Sequence, residues 1–264
     1  MLYRNIIYNL LQICFWVSAV FTPTCSLFAS TLHCILAVNT VDQLFGEGSH
    51  CNLGLMWEMC QTAAVCTEMD LNVQLITDDN LTPENLRNAL HGLSVNSDDA
   101  ILFYFNSHGK MTPDCQDPLP ALSFPAQPQF VSLDSVVRLL LTKEARLTLV
   151  FAEVCNHKCG SERQLYSLAQ TSVLPFVDGY RKLFSESAGL LVAAAARKGQ
   201  TAWLDRKNGS IFTRNLVAAI EREVQCPYCS WEQVLNITCK QTVRLSESYR
   251  TAQRQEPYYH WQPR

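Results

Sequence analysis

Short, continuous apolar runs alternate along this chain with longer stretches in which apolar residues recur every three or four positions. Leu32 to Val38, Val73 to Ile76, 100 to 106 and 147 to 152 are runs of the first kind, bounded by polar residues or glycine. All four predict strands, and the runs at 100 to 106 and 147 to 152, rich in β-branched and aromatic residues, predict burial on both faces, the habit of parallel sheets. Helical patterns lie between them. Leu53 to Val65 is apolar-rich, Thr82-Pro83-Glu84-Asn85 opens a helix that runs to Leu93, and Ser132 to Leu141 gathers Leu133, Val136, Val137, Leu140 and Leu141 at helical spacing. Thr82 and Ser132 carry the side-chain oxygen an N-cap needs, and Pro83 has the fixed φ that suits a first helical position. Phe212 to Glu223 and Trp231 to Leu245 continue the helical pattern, with a candidate last strand beyond them. This alternation predicts an α/β fold, a mostly parallel sheet flanked by helices.

That architecture decides where chemistry gathers. A crossover helix makes the strands before and after it parallel, so the strands at 100–106 and 147–152 end at the same edge of the sheet. His108 follows the first strand and Cys155 the second. Open α/β sheets collect ligands and reactive groups at that carboxyl edge. Thiolate is the reactive form of cysteine, and a neighbouring imidazole can take the thiol proton and return it to a leaving amine. His108 and Cys155 are therefore the catalytic candidates. Gly109 leaves room for substrate, and its N–H with that of Cys155 makes a candidate oxyanion site. The structural alternative is a His that caps a strand and a Cys that is merely small and buried.

The order of these motifs resembles the caspase-like cysteine peptidases, the group of caspases, metacaspases and, more remotely, legumain. A His about 50 residues before the nucleophile is the caspase order. The match continues in Ser187 to Ala196, Gly199-Gln200-Thr201-Ala202-Trp203 and Asn208-Gly209-Ser210-Ile211-Phe212, similar to the fifth strand, substrate loop and following helix of a caspase. Gln255-Glu256-Pro257-Tyr258-Tyr259 is similar to the end of metacaspase domains, so the resemblance spans Leu32 to Tyr259. It implies a caspase-like three-layer sandwich with a mostly parallel sheet of about six strands. It also implies protein or peptide substrates, and substrate-binding places for Glu153, Gln200 and Trp203.

Two departures shape the expected specificity. Caspases carry Gln-Ala-Cys-Arg-Gly and metacaspases usually Asp-x-Cys-His-Ser-Gly, whereas this chain has Glu153-Val154-Cys155-Asn156-His157, with Gly160 the next glycine. Leu204 stands after the loop Trp where caspases place an Arg for substrate Asp, so cleavage after Asp is disfavoured. Glu153 takes the place of the metacaspase acid that receives substrate Arg or Lys, which implies a basic P1 residue, with Asn or another uncharged residue as the alternative. Arg197 and Lys198 in the neighbouring loop are candidates to neutralise Glu153. Three functions remain open: an endopeptidase acting through a Cys155 thioester with His108 as acid/base, a transamidase or ligase using the same thioester, and a catalytically inactive caspase-like binding module. None of this chemistry requires a nucleotide, metal or organic cofactor, although some relatives use calcium for activation.

Composition changes the picture at a few points. A chain of 264 residues, 48% hydrophobic, is long enough for one large α/β core, and its net charge of -3 gives no basic footprint for nucleic acid. Residues 1–30 read as a secretory leader or an uncleaved amino-terminal membrane anchor, with Arg4 before the apolar stretch Ile6 to Phe21. The peptidase domain is then 31–264, placed outside the cytoplasm or on a membrane, in an oligomeric state the sequence leaves open. Of twelve cysteines, setting aside Cys14, Cys25 and Cys155 leaves nine, an odd number, so they cannot all pair within one chain. Cys226-Pro227-Tyr228-Cys229 has the spacing of half a zinc or redox site, with a disulfide or free thiols as the alternatives. Two excursions flank the candidate site. One, between His108 and Ser132, carries Pro113, Pro118, Pro120, Pro125 and Pro128 and reads as a long substrate-shaping loop. The other, 156–187, holds Lys158, Arg163, Arg181 and Lys182 where caspases are cut into large and small subunits.

Overall fold

The computed structural model describes residues 29–112, 117–125, 127–157, 176–248 and 253–264. The expected leader or anchor lies almost entirely outside them, as do Lys158, Cys159, Gly160 and Arg163. Among the described residues no helix is long and apolar enough to cross a membrane.

Six strands make the central sheet: β1 (Thr31–Val38), β2 (Asp70–Thr77), β3 (Ala100–Asn106), β7 (Leu147–Glu153), β8 (Gly189–Ala194) and β11 (Tyr258–Pro263), in the order β11-β8-β7-β3-β1-β2. All neighbours are parallel except β11, which runs antiparallel to β8. Every residue of β3 and β7 is buried. Alternating side chains go to opposite faces. Leu102, Tyr104, Leu149 and Phe151 meet α1 (Gly46–Thr67), α5 (Ile211–Glu223) and α6 (Trp231–Ser248), together with α4 (Val177–Tyr180) and the π-turn Arg181–Glu186. Ile101, Phe103, Phe105 and Val150 meet α2 (Pro83–Gly92) and α3 (Leu133–Leu141) on the other face. Cover on both faces explains why the inner strands β1, β3, β7 and β8 read as continuous apolar runs, whereas β2, which carries Val73 to Ile76, lies at the sheet edge with only Ile76 buried. The three-layer α/β sandwich is the architecture that the alternation predicts.

Caps mark the helices as expected. Thr82 Oγ1 accepts the Asn85 N–H at 3.1 Å and Ser132 Oγ accepts that of Asp134 at 3.2 Å. Helix α1 begins seven residues before the apolar stretch that announced it, at Gly46 instead of Leu53. The two glycines of its first turn are there for contact: a Cβ on Gly46 would lie 2.4 Å from the Thr40 carbonyl oxygen, and one on Gly48 2.6 Å from that of Asp205. The latter contact seats the short hairpin of β9 (Leu204–Asp205) and β10 (Gly209–Ser210) against α1.

The Pro-rich excursion after His108 contains a second sheet where a long loop was expected. Strands β4 (Gly109–Met111), β5 (Pro120–Phe124) and β6 (Gln127–Ser132) form an antiparallel sheet in that order. Its prolines occupy the places strands tolerate: Pro120 opens β5, Pro125 follows it at the turn, and Pro128 lies on the edge strand β6. The sheet packs Leu122 and Phe124 onto the α2–α3 side of the core.

Candidate active site

Parallel register brings the two candidate residues to one edge of the sheet. Asn106 of β3 pairs with Glu153 of β7, and His108 and Cys155 each lie two residues further on. Their segments touch. A Cβ on Gly109 would lie 2.6 Å from both the Cys155 carbonyl oxygen and Val154 Cβ, so the missing side chain permits this contact and the space beside it is already filled. The Met111 N–H donates to the His157 carbonyl at 3.3 Å. Alternation along β4 then puts the Gly109 N–H on that same edge, toward the segment that carries Cys155.

Cys155 is 7% exposed, and its thiol donates weakly to the Ala202 carbonyl at 3.8 Å. The loop carrying Ala202 is held beside it by backbone pairing: the Asn156 N–H donates to the Gln200 carbonyl at 2.9 Å and the Gly199 N–H to the Asn156 carbonyl at 2.6 Å. The His108 side chain is 41% exposed. Its Nε2 is 3.1 Å from Asp42 Oδ2, and the Phe45 ring meets the imidazole edge to face at 4.6 Å. Sequence reasoning missed Asp42 and Phe45. The available signal was an acidic residue in the turn after β1, whose carboxyl end adjoins that of β3.

Glu153 lies under the site, 4% exposed. Its Oε2 accepts the backbone N–H of Thr213 at 3.1 Å and the Thr213 hydroxyl at 2.8 Å, while the Tyr104 hydroxyl is 2.8 Å from Thr213 Oγ1. Asn52 extends this buried polar cluster by donating to Ser210 Oγ at 2.6 Å and accepting the Ser210 N–H at 2.8 Å. Burial pushes the Glu153 carboxyl up to about 8, against the pull of hydrogen bonds from Thr213 and Ser210, so at neutral pH it is mostly protonated. Burial, followed by the nearby Glu153, also pushes the Tyr104 phenol well up. The two basic neighbours have other partners: Arg197 lies 3.2 Å from Glu256, and Lys198 donates to the Asp117 carbonyl at 3.1 Å.

Gln200 and Trp203 lie in the loop beside Cys155, with Gln200 Oε1 and the Trp203 indole N–H turned to the carboxyl-terminal segment. Gln200 Oε1 accepts the Glu256 N–H at 2.7 Å, and the Trp203 indole donates to the Gln253 carbonyl at 2.7 Å. Gln255 closes the arrangement, its side chain accepting from the Trp203 backbone N–H at 2.9 Å and donating to the Ala195 carbonyl at 2.8 Å. Trp203 is 5% exposed and packs on Ile211 and Leu245. The Cys226 and Cys229 pair lies apart from this edge, between α5 and α6, with the Cys229 thiol 3.5 Å from the Gly179 carbonyl oxygen.

An α/β sandwich that delivers a thiol and an imidazole to one sheet edge has the layout of a cysteine peptidase. The model of the caspase domain matches residues 49–263, and the chain belongs to that family. Membership supports a cysteine peptidase acting on proteins or peptides. The fold is similar to the crystal structure of caspase-1 from Spodoptera frugiperda, at a TM-score of 0.57 and 12% identity over 88% of this chain and 86% of that one. A search of curated proteins finds no significant match.

Proposed function

We propose that the chain is an endopeptidase in which Cys155 attacks a peptide carbonyl and His108 is the acid/base. The observation that carries this reading is the touching of the two strand ends at Gly109 and Cys155. The thiol proton goes to the imidazole as the S–C bond forms, and the carbonyl oxygen takes up negative charge facing the Gly109 and Cys155 N–H groups. Imidazolium then protonates the amine as the C–N bond breaks, leaving a thioester. Water gives its proton to His108 as it attacks the thioester, and the thiol leaves with a proton restored. A peptide probe with an electrophilic warhead should label the protein, lose labelling in Cys155→Ala and label more slowly in His108→Ala. No labelling of folded, processed protein by probes with P1 Arg, Asn or Asp would instead leave the inactive binding module. An added amine captured by the acyl group in preference to water would identify a transamidase or ligase.

Glu153 governs the P1 residue in this reading. Below about pH 8 its neutral carboxyl, bonded to Thr213 and Ser210, suits an uncharged P1 group. A guanidinium or ammonium group is accommodated by the ionised form, through a charge-assisted hydrogen bond. Cleavage after Arg should therefore gain on cleavage after Asn between pH 6.5 and 8.5, and a ratio independent of pH would remove Glu153 from substrate selection. An extracytoplasmic location, with residues 1–30 as leader or anchor, is part of the proposal, and amino-terminal sequencing of mature protein from its native source tests it.

A further inference from the structure

We propose that Asp42 is the positioning residue for His108, making the site a Cys155, His108 and Asp42 relay; the proposal rests on the peptidase reading above. Asp42 lies in the turn between β1 and α1, a separate segment from either strand that carries a reactive residue. Its carboxylate is fixed by the division of its two oxygens. Oδ1 accepts the N–H groups of Leu44 at 2.8 Å and Phe45 at 3.3 Å, which anchors it to its own turn. Oδ2 is left to meet His108 Nε2 at 3.1 Å.

The turn itself is tied down on three sides. The Asn39 N–H donates to the Asn106 carbonyl at 2.9 Å, joining the ends of β1 and β3. The Thr40 N–H and hydroxyl donate to Asp78 Oδ1 at 2.9 and 2.8 Å. The Gly46 N–H donates to the Asp42 carbonyl at 2.9 Å, where α1 begins. Phe45, three residues after Asp42, sets its ring against the imidazole, so one turn supplies both the hydrogen bond and the apolar contact that orient it.

This geometry assigns the two ring nitrogens. A carboxylate only accepts, so neutral His108 carries its proton on Nε2 and offers the Nδ1 lone pair to the thiol. When His108 takes the thiol proton at Nδ1, the Asp42 carboxylate faces the cation that forms. Asp42 touches neither substrate nor the reacting atoms, and its effect passes through the imidazole.

Asp42→Asn is the test, because an Asn oxygen can still accept the Leu44 and Phe45 N–H groups and keep the turn. The first readout is independent of activity: long-range ¹H–¹⁵N spectra of His108 at high pH, assigned by comparison with His108→Ala. The parent should show the Nε2–H tautomer; in Asp42→Asn the amide NH2 takes the place of Oδ2 and donates to Nε2, so the Nδ1–H tautomer should dominate. The second readout is turnover, where kcat should fall about a hundredfold or more with KM little changed, within the 10²–10⁴ that an acid–base group contributes. Asp42→Glu should restore part of the rate. An unchanged tautomer together with an unchanged kcat overturns the proposal while leaving the peptidase reading intact. A switch of tautomer in Asp42→Asn, in a protein that no probe labels at Cys155, would uphold the orienting contact and reject the peptidase reading.

Discussion

Replacing Glu153 by Gln should flatten the pH dependence of stability, by an amount the structure sets. The carboxyl is buried under β7 and bonded to Thr213, with its pKa raised from the usual 4.5 to about 8. An acid whose pKa is higher in the folded state keeps a proton that the unfolded chain gives up, so its stability contribution is full below about pH 4.5 and is lost as pH rises through 8. Keeping the proton from about pH 4.5 to about pH 8, at about 1.4 kcal/mol per pH unit, gives a total near 5 kcal/mol, to order of magnitude. A glutamine in its place never ionises. Its oxygen can accept from Thr213 as Oε2 does, and its amide can donate toward Ser210 Oγ as a protonated acid would.

The assay is urea unfolding followed by tryptophan fluorescence at pH 5, 6, 7, 8 and 9, with Cys155→Ala in both proteins to prevent self-cleavage. At pH 5 the two should agree within about 1 kcal/mol, the scale of one altered hydrogen bond. By pH 9 the Glu153→Gln protein should be the more stable by several kcal/mol. Other titrating groups are shared and cancel in the difference. A difference curve that stays flat from pH 5 to pH 9 would refute the reasoning, because it would require either a solvated carboxyl or a cation beside it, and Arg197 and Lys198 are bonded elsewhere.

Other predictions follow from single contacts. Gly109→Ala must push aside Val154 and the Cys155 carbonyl, at a cost of about 1–3 kcal/mol in stability and with loss of probe labelling well before loss of folding. Asp99 is held below the usual carboxylate range: burial works to raise it, but the N–H groups of Asn96 and Thr31 and the ring of His33 outweigh that. Its contribution is therefore present above the unfolded value near 3.9 and lost as pH falls through the lowered folded one, and Asp99→Asn should shallow the acid limb of a urea-midpoint curve. Hydrogen bonding to Cys60, then burial, pushes the Cys34 thiol well up, so a thiol reagent should count these two cysteines only after unfolding. Rapid native-state modification of both would show that β1 and α1 are not packed there as described.

The sequence made the two-sided strands legible because burial on both faces leaves little choice but apolar residues, and β3 matches its expected span of 100 to 106. Helices with a polar cap were equally plain at Thr82 and Ser132. Gly46 and Gly48 hid the start of α1, since glycine in a helix is a cost unless a close neighbour demands it, and neighbours distant in sequence cannot be read locally. The β4–β6 sheet was obscured by prolines, which argue against strands except at edges and ends. Asp42 was hard to single out for a similar reason: an acidic residue after β1 gains its meaning only from β1 and β3 being adjacent, a pairing across more than sixty residues that no local pattern announces.

The unusual residues around Cys155 become intelligible once backbone pairing is followed instead of side-chain identity. Asn156 stands where caspases carry Arg, yet its N–H and carbonyl are both engaged by the 199–203 loop, and its side-chain amide donates to the Pro118 carbonyl at 3.0 Å. One residue thus joins the end of β7, the loop before β9 and the chain entering β5. His157, where a glycine follows in caspases, uses its carbonyl to receive the Met111 N–H of β4. These are main-chain bonds that many side chains permit, so the Cys155 backbone can hold its place without the Arg-Gly pair. What cannot vary so freely is Gly109, because there the main chain of one strand end lies where a side chain on the other would have to be.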